Sequence, residues 1–396
     1  MPTERSAAAR ADTAPEPDAS AKADSPTDLT RRGLTHTLKA AVQEFQRDQC
    51  TDLAAALTYF SVLSVAPALL ALVSLLGVVG QDQQTVETML DLVRQLGQGD
   101  VAEQLRGPIE GMVQSEAAGF TLVVGLLTAL SSASAYVGAF GRALNRVYGV
   151  DEGRPIWKLR PVTFAVTLGL VVGAALVLLG LVVSGSVAEA VGDLIGLGDQ
   201  SVVVWGYAKW PVMLVIVMAM VALLYWATPN IRQPRFRWLS PGAVAAILVW
   251  VLASVAFGFY IANFGKYQST YGSLGGVIVF LLWLWLTNIA LLLGAEVDAE
   301  LERVRELEAG MRAERAIQLP PRDTTQSDKA REKLEERIAE GRAIRRAAVA
   351  DGATGALPER RRRRHGAATP EDVRLEPLPS DSAAAQRRDG SGTHTS

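Results

Sequence analysis

Asn288, Leu292 and Glu296 are spaced by four, so a carboxamide and a carboxylate share one face of a helix, with Trp285 a turn away. The stretch from Leu274 to Ala295 carries no charged residue. A carboxylate at the edge of such a stretch costs about 2.5 kcal/mol or more if drawn to the centre of a bilayer, so it calls for a partner. Arg142 and Arg146, four apart with Asn145 between them, stand at the end of a second uncharged stretch and are the candidate partners. An ion pair of Glu296 with either arginine would close one end of a helical bundle, as a gate or as a structural clasp. Asn288 would then face the interior. A second polar set is Thr58, Ser61 and Ser64, which step along one face of an apolar segment. Pro67 follows. It cannot donate to the Leu63 carbonyl, so a kink and a cavity are expected beside that face. On a third segment, Ser134 and Gly138 form a small-xxx-small pair that would let a neighbouring backbone come close.

These groups offer hydrogen bonding and ion pairing. Hydrolytic or nucleolytic chemistry needs clustered carboxylates, histidines or cysteines that bind a metal or activate water, and the apolar region offers no such cluster. The three histidines, His36, His365 and His394, lie outside it. The single cysteine, Cys50, excludes an internal disulfide and a cysteine metal cluster. No GxxxxGK[ST] motif occurs, so ATP-driven pumping by this chain alone is not expected. No catalytic, cofactor-binding or metal-binding residue is assigned.

Length and hydropathy define the elements that carry these groups. Charge makes up 20% of the residues but gathers before residue 50 and after residue 296, the pattern of a membrane protein with aqueous tails. A hydrocarbon core about 30 Å thick is crossed by roughly 20 apolar residues in a helix. Six stretches satisfy that: Leu53 to Gly80, Gly119 to Phe140, Pro161 to Val187, Trp210 to Thr228, Pro241 to Phe264 and Leu274 to Ala295. The expected fold is all-α and polytopic. Residues 1–28, rich in Ala, Asp, Pro, Ser and Thr, read as disordered. Residues 29–50 read as a basic amphipathic helix on the membrane surface, with Leu34, Leu38, Val42 and Phe45 at helical spacing among Arg31, Arg32, Lys39 and Arg47. Residues 51–300 form the six-span bundle. Within it, 81–118 supply two short amphipathic helices over the outer mouth, and Pro161 falls in the first turn of the third span. Residues 301–396 read as a charged, partly helical or disordered tail that lacks the large apolar residues to fold alone. Connections rich in Lys and Arg alternate with connections that are not, which places both termini in the cytoplasm.

The stretches AAALTYFSVLSVAPALLAL (54–72), SASAYVGAFGRALNRVYGV (132–150), RPIWKLRP (154–161), the YWATPN and PGA motifs of 225–243, and YGSLGGVIVFLLWLWLTNIALLLGAEVDA (271–299) occur in that order. Together they resemble the YihY/BrkB family of bacterial inner-membrane proteins, over residues 53–300. The resemblance implies six transmembrane helices and a bacterial plasma-membrane location. Members of this family were formerly called ribonuclease BN, and movement of lipid-like molecules has been suggested for relatives.

The residues and the resemblance point to a transporter, permease or flippase-like protein, its partners being the bilayer and a lipid-like or small-molecule substrate. The alternative is a structural or assembly partner of a membrane complex. Positive-inside topology accounts for the arginine-rich connections without nucleic acid, so a membrane ribonuclease is not favoured. Trp283 and Trp285 read as lipid or packing contacts.

Overall fold

The computed structural model describes residues 14–23, 28–79, 118–182, 200–233, 240–264 and 274–352. Within them the chain is helical: α1 (Arg31–Arg47), α2 (Cys50–Val79), α3 (Ala118–Val147), α4 (Ile156–Val182), α5 (Gln200–Ala227), α6 (Pro241–Phe264), α7 (Leu274–Glu308) and α8 (Thr325–Ala350). The only bridge of β type among the described residues joins Ile231 to Pro321. Each of the six expected spans is a helix, α2 to α7. By length and composition, Ile156–Leu181, Gly206–Ala227, Pro241–Asn263 and Gly275–Glu308 can cross a membrane, and Cys50–Val65 is a shorter apolar helix. The two short helices expected over 81–118 lie outside the described residues but for the start of α3.

Helix α1 is capped by Thr30, whose hydroxyl accepts from the Gly33 amide at 3.0 Å. A corner at Asp48 and Gln49, with Gln49 at φ 56°, turns the chain into α2. Helices α2 and α3 pack side by side, α4 pairs with α5, and α6 lies along α7, which also meets α1, α2 and α3. In lipid there is no hydrophobic force between helices, so close van der Waals contact must hold them together, and glycines mark the closest approaches. A Cβ at Gly294 would sit 2.4 Å from the Gly242 carbonyl oxygen. Tyr225 of α5 adds its hydroxyl to the Leu291 carbonyl, and Asp298 accepts from Ser240 and from the Gly242 amide. On α3 the close approach falls at Gly141, where an added Cβ would sit 3.1 Å from the Thr228 carbonyl oxygen, and not at Gly138, where it would meet only Arg142 of the same helix. Ser134 is buried but bonds the Ser131 carbonyl.

Helix α6 has the expected bounds, Pro241–Phe264, while other helices start earlier or run on further. Helix α4 begins at Ile156, which puts Pro161 in the second turn and not the first. Helix α7 continues past Glu296 to Glu308 as one 35-residue helix. It stops where Gly310 takes φ 76° and the Met311 amide bonds the Glu306 carbonyl, a Schellman ending.

Two expectations about the tails need correction. Lys22, inside the segment expected to be disordered, is buried between Glu302 (2.7 Å) and Glu306 (3.3 Å) of α7. The segment after α7 is not a free tail either. Ile317 and Leu319 are buried in the main core beside Phe140, Leu144 and Ile231. Few apolar residues suffice here, because the strap of residues 309–324 borrows a core from the bundle and does not build its own. From Lys333 the chain forms a separate unit, whose described part is a charged, exposed helix.

Candidate functional site

The site begins with α2. Thr58 and Ser64 are buried and Ser61 is half-buried, so the hydroxyl face turns inward as expected. Thr58 donates to the Ala54 carbonyl and Ser61 to the Leu57 carbonyl within their own helix, and Ser64 donates across to the Ala133 carbonyl of α3. Asn288 of α7 is 2% exposed. It donates to Thr58 Oγ1 at 3.3 Å and accepts from the Tyr136 hydroxyl of α3 at 2.9 Å. Three helices are thereby pinned by one polar chain, Tyr136–Asn288–Thr58. Beside it opens a cavity of about 400 Å³, lined from α2 (Ser61, Ser64), α3 (Ala133, Tyr136), α4 (Thr167, Leu178) and α5 (Met220), among others. Pro67 is half-buried in the same helix a turn beyond Ser64.

The Thr167 hydroxyl donates to the Thr163 carbonyl. Every hydroxyl named on the cavity wall therefore spends its proton inside the protein, Ser61, Ser64 and Thr167 on backbone carbonyls and Tyr136 on Asn288. The wall offers oxygen lone pairs and methyl groups but no free donor, so it suits an apolar chain better than a polar solute.

Two helical turns further along α7, Glu296 is 1% exposed and meets Cys50 Sγ at 3.4 Å. Its other oxygen, Oε2, has no hydrogen-bond partner among the described residues. The expected ion pair is not formed. Arg142 and Arg146 lie on the exposed side of α3. Arg142 places its guanidinium over the Phe60 ring, 5.6 Å from the centroid, and Arg146 donates to Gln49 Oε1 at 3.0 Å. The reason is angular: Asn145, between them in sequence, turns into the bundle and carries the two arginines away from α7.

Asn145 belongs to a different structure, a knot that ties together three connections. It donates to Glu152 Oε2 (2.9 Å) and accepts from the Asn230 amide (2.7 Å). Asn230, fully buried, donates from Nδ2 to the Asp151 and Asp323 carbonyls and accepts from the Asp323 amide. Arg154 holds Glu152 with two nitrogens and reaches the Thr228 carbonyl at 2.6 Å. Arg322 lies over Trp226 at 5.1 Å and donates to the Ile231 carbonyl. The α3–α4 connection, the α5–α6 connection and the strap are thus laced at one level. Among these residues only Asn145 could be singled out from the sequence. Tyr136 and Cys50 were also missed, since a tyrosine in an apolar run reads as packing and a lone cysteine between Gln49 and Thr51 carries no spacing signal. Trp283 and Trp285 do serve as packing contacts: Trp283 meets Trp250 edge to face, and Trp285 donates to the Thr51 carbonyl.

The Asp323 carboxylate takes a bond from Lys158 Nζ at 2.6 Å and two from Thr325. Lys158, then Thr325, hold its acid at about 2, below the usual 3.8. A carboxyl lowered in the folded state adds stability that is complete above its ordinary value and is lost as pH falls through the lowered one. Melting curves should therefore show an acid limb between pH 3.8 and about 2 that flattens in Asp323→Asn. An unchanged limb would remove Asp323 from the account of the knot.

A helical bundle with spans of this length and apolarity, pinned internally by a carboxamide, is a multi-pass α-helical membrane protein. Comparison identifies which kind. The family model described as Virulence factor BrkB matches residues 41–317, and the chain belongs to this YihY/BrkB family. The match runs beyond the expected 53–300 at both ends, into α1 and into the strap, in keeping with their packing on the bundle. The chain is 29% identical over 270 residues to the putative ribonuclease-like protein YfkH of Bacillus subtilis, covering 68% of this chain and 96% of that protein. It is 32% identical over 257 residues to a UPF0761 membrane protein of Alkalilimnicola ehrlichii, covering 64% of this chain and 55% of that one. A UPF0761 membrane protein of Aromatoleum aromaticum is 29% identical over 271 residues, with 67% and 64% covered. The chain thus spans less than two thirds of the length of these last two relatives. No solved structure matches it.

Proposed function

We propose that the protein is a permease or flippase-like carrier of a lipid-like substrate in the bacterial plasma membrane, with no catalytic step of its own. The carrying observation is the cavity of about 400 Å³ beside the Tyr136–Asn288–Thr58 chain. Its size falls in the roughly 300–1,000 Å³ range of small-molecule sites, and its wall of methyl groups and committed hydroxyls favours an acyl or polyprenyl chain. The test is transbilayer movement of a panel of fluorescent lipids in proteoliposomes. Ala174→Phe, which fills the cavity from α4, should abolish movement that the unmutated protein supports, with expression and melting unchanged. Movement at the full rate in this variant would sink the cavity as the route. RNA cleavage by the purified protein would sink the reading as a whole.

The proposed topology has both termini in the cytoplasm, supported by the alternation of basic connections. Reporter fusions after Gln200 and at the C-terminus should then report opposite sides. The same side for both would break the six-span order.

A further inference from the structure

Helix α1 has three faces. Gly33, Thr37, Ala40 and Ala41 are buried, and the first of them is close enough that an added Cβ would sit 2.9 Å from Val304 and 2.5 Å from Glu308. Leu34, Leu38 and Val42, each four residues apart, form a stripe on another side and are 38%, 63% and 53% exposed. Arg31, Arg32, His36 and Lys39 are exposed as well. Arg31 stands at the N-terminal end of the apolar stripe and Lys39 along one side of it, while Arg32, His36 and Lys39 line a cleft of about 630 Å³ against Val304, Leu307 and Glu308 of α7.

We propose that this face of α1 docks on anionic lipid, with Leu34, Leu38 and Val42 entering the adjoining leaflet and Arg31, Arg32 and Lys39 holding its phosphate headgroups. Three observations favour lipid over another protein. Helix α1 runs into the apolar α2 through only Asp48 and Gln49, so its end is fixed at the membrane surface. The stripe is narrow and flanked by cations, the arrangement of a helix lying in an interface. Finally, Arg31, Arg32 and Lys39 make no ion pair among the described residues, unlike Arg47, which is held by Glu44 at 3.0 Å. Their charge is free to meet phosphate, and among the described residues the only carboxylate lining the cleft is Glu308. Glu308 already accepts from the Thr30 hydroxyl at 2.6 Å.

The test uses the full chain in nanodiscs of phosphatidylcholine alone or mixed equally with phosphatidylglycerol. Leu38→Cys carries an environment-sensitive fluorophore; the native Cys50 is fully buried, and unmutated protein controls for its labelling. Docking predicts a blue-shifted emission that is quenched by nitroxide-bearing lipid, more strongly with phosphatidylglycerol. Each of Arg31→Gln, Arg32→Gln and Lys39→Gln should shift the docked equilibrium roughly fivefold toward the free state. High salt should act in the same direction. Water-like emission in both discs would overturn the proposal. So would a blue shift that persists in detergent without lipid quenching, because a protein surface would then cover the stripe.

Discussion

Gly153→Ala is expected to lift the strap off the bundle. A Cβ there would stand 1.9 Å from the Asp323 carbonyl oxygen and 3.0 Å from Asn230 Nδ2, and neither neighbour has room to retreat. Asn230 is buried with its side chain committed to Asp151 and Asp323, and the Gln326 amide is bonded to the Gly153 carbonyl itself. Displacing the strap breaks its bonds to Asn230 and the Gln326–Gly153 bond together with the Lys158–Asp323 contact. Each is worth about 1 kcal/mol, more where a buried group is left unpaired, so a loss of roughly 3–5 kcal/mol is expected. Limited trypsin digestion reads it directly, since Arg312, Arg315 and Arg322 lie in the strap. Cleavage there should precede cleavage elsewhere in the variant and not in the unmutated protein. Asn230→Ala, which removes the two side-chain bonds to Asp323 without any clash, should give the same early fragments. If Asn230→Ala digests like the unmutated chain, the Asn230 side chain is not what holds the strap.

Gly294→Val should separate α6 from α7. Its Cβ would lie 2.4 Å from the Gly242 carbonyl oxygen, 2.6 Å from Ala246 Cβ and 2.6 Å from the Tyr225 hydroxyl. Most of α6 faces outward, with Leu248, Leu252, Val255 and Phe259 all more than half exposed, and α7 is its principal neighbour. With no hydrophobic force to return it, a helix held by close backbone contact has little in reserve. Overpacking typically costs 1–3 kcal/mol, and an obstructed backbone belongs at or above the upper end, about 3 kcal/mol. Detergent melting curves should show it. Gly242→Val should cost a similar amount, and the double variant little more than either single one, because both remove one contact. Full additivity would mean that the two glycines serve separate purposes.

The spans were legible because an apolar run long enough to cross a bilayer has almost no other stable use, and all six were found as helices. Their ends were legible for α6 and for the start of α7, but not for the far end of α7. Helix α7 runs on through Glu296, Glu300 and Glu306 because those carboxylates are sheltered by α1, Cys50 and Lys22, partners scattered over the chain. The inward face of Thr58, Ser61 and Ser64 could be read from spacing, as could the interior place of Asn288. The proposed pairing of Glu296 with Arg142 or Arg146 failed on rotation about the α3 axis. Residues near one another in depth can point in opposite directions, and a charged stretch gives no apolar stripe to fix the angle. The knot escaped because Gly153 and Asp323 carry no pattern in sequence and Asn230 only a place in the YWATPN motif, and their roles exist only once three connections meet.

Helix α7 has one more consequence, mechanical in kind. Its 35 residues make a rod about 52 Å long at 1.5 Å per residue, against a hydrocarbon layer of about 30 Å. Asn288 sits partway along it, beside the cavity, while α1, Lys22 and the start of the strap are fastened to its far end. A rod pivoting at Asn288 acts as a lever, in which a small tilt at the cavity becomes a larger sweep at the far end. A load borne by α1 would travel back along the same rod and press on the Tyr136–Asn288–Thr58 fulcrum.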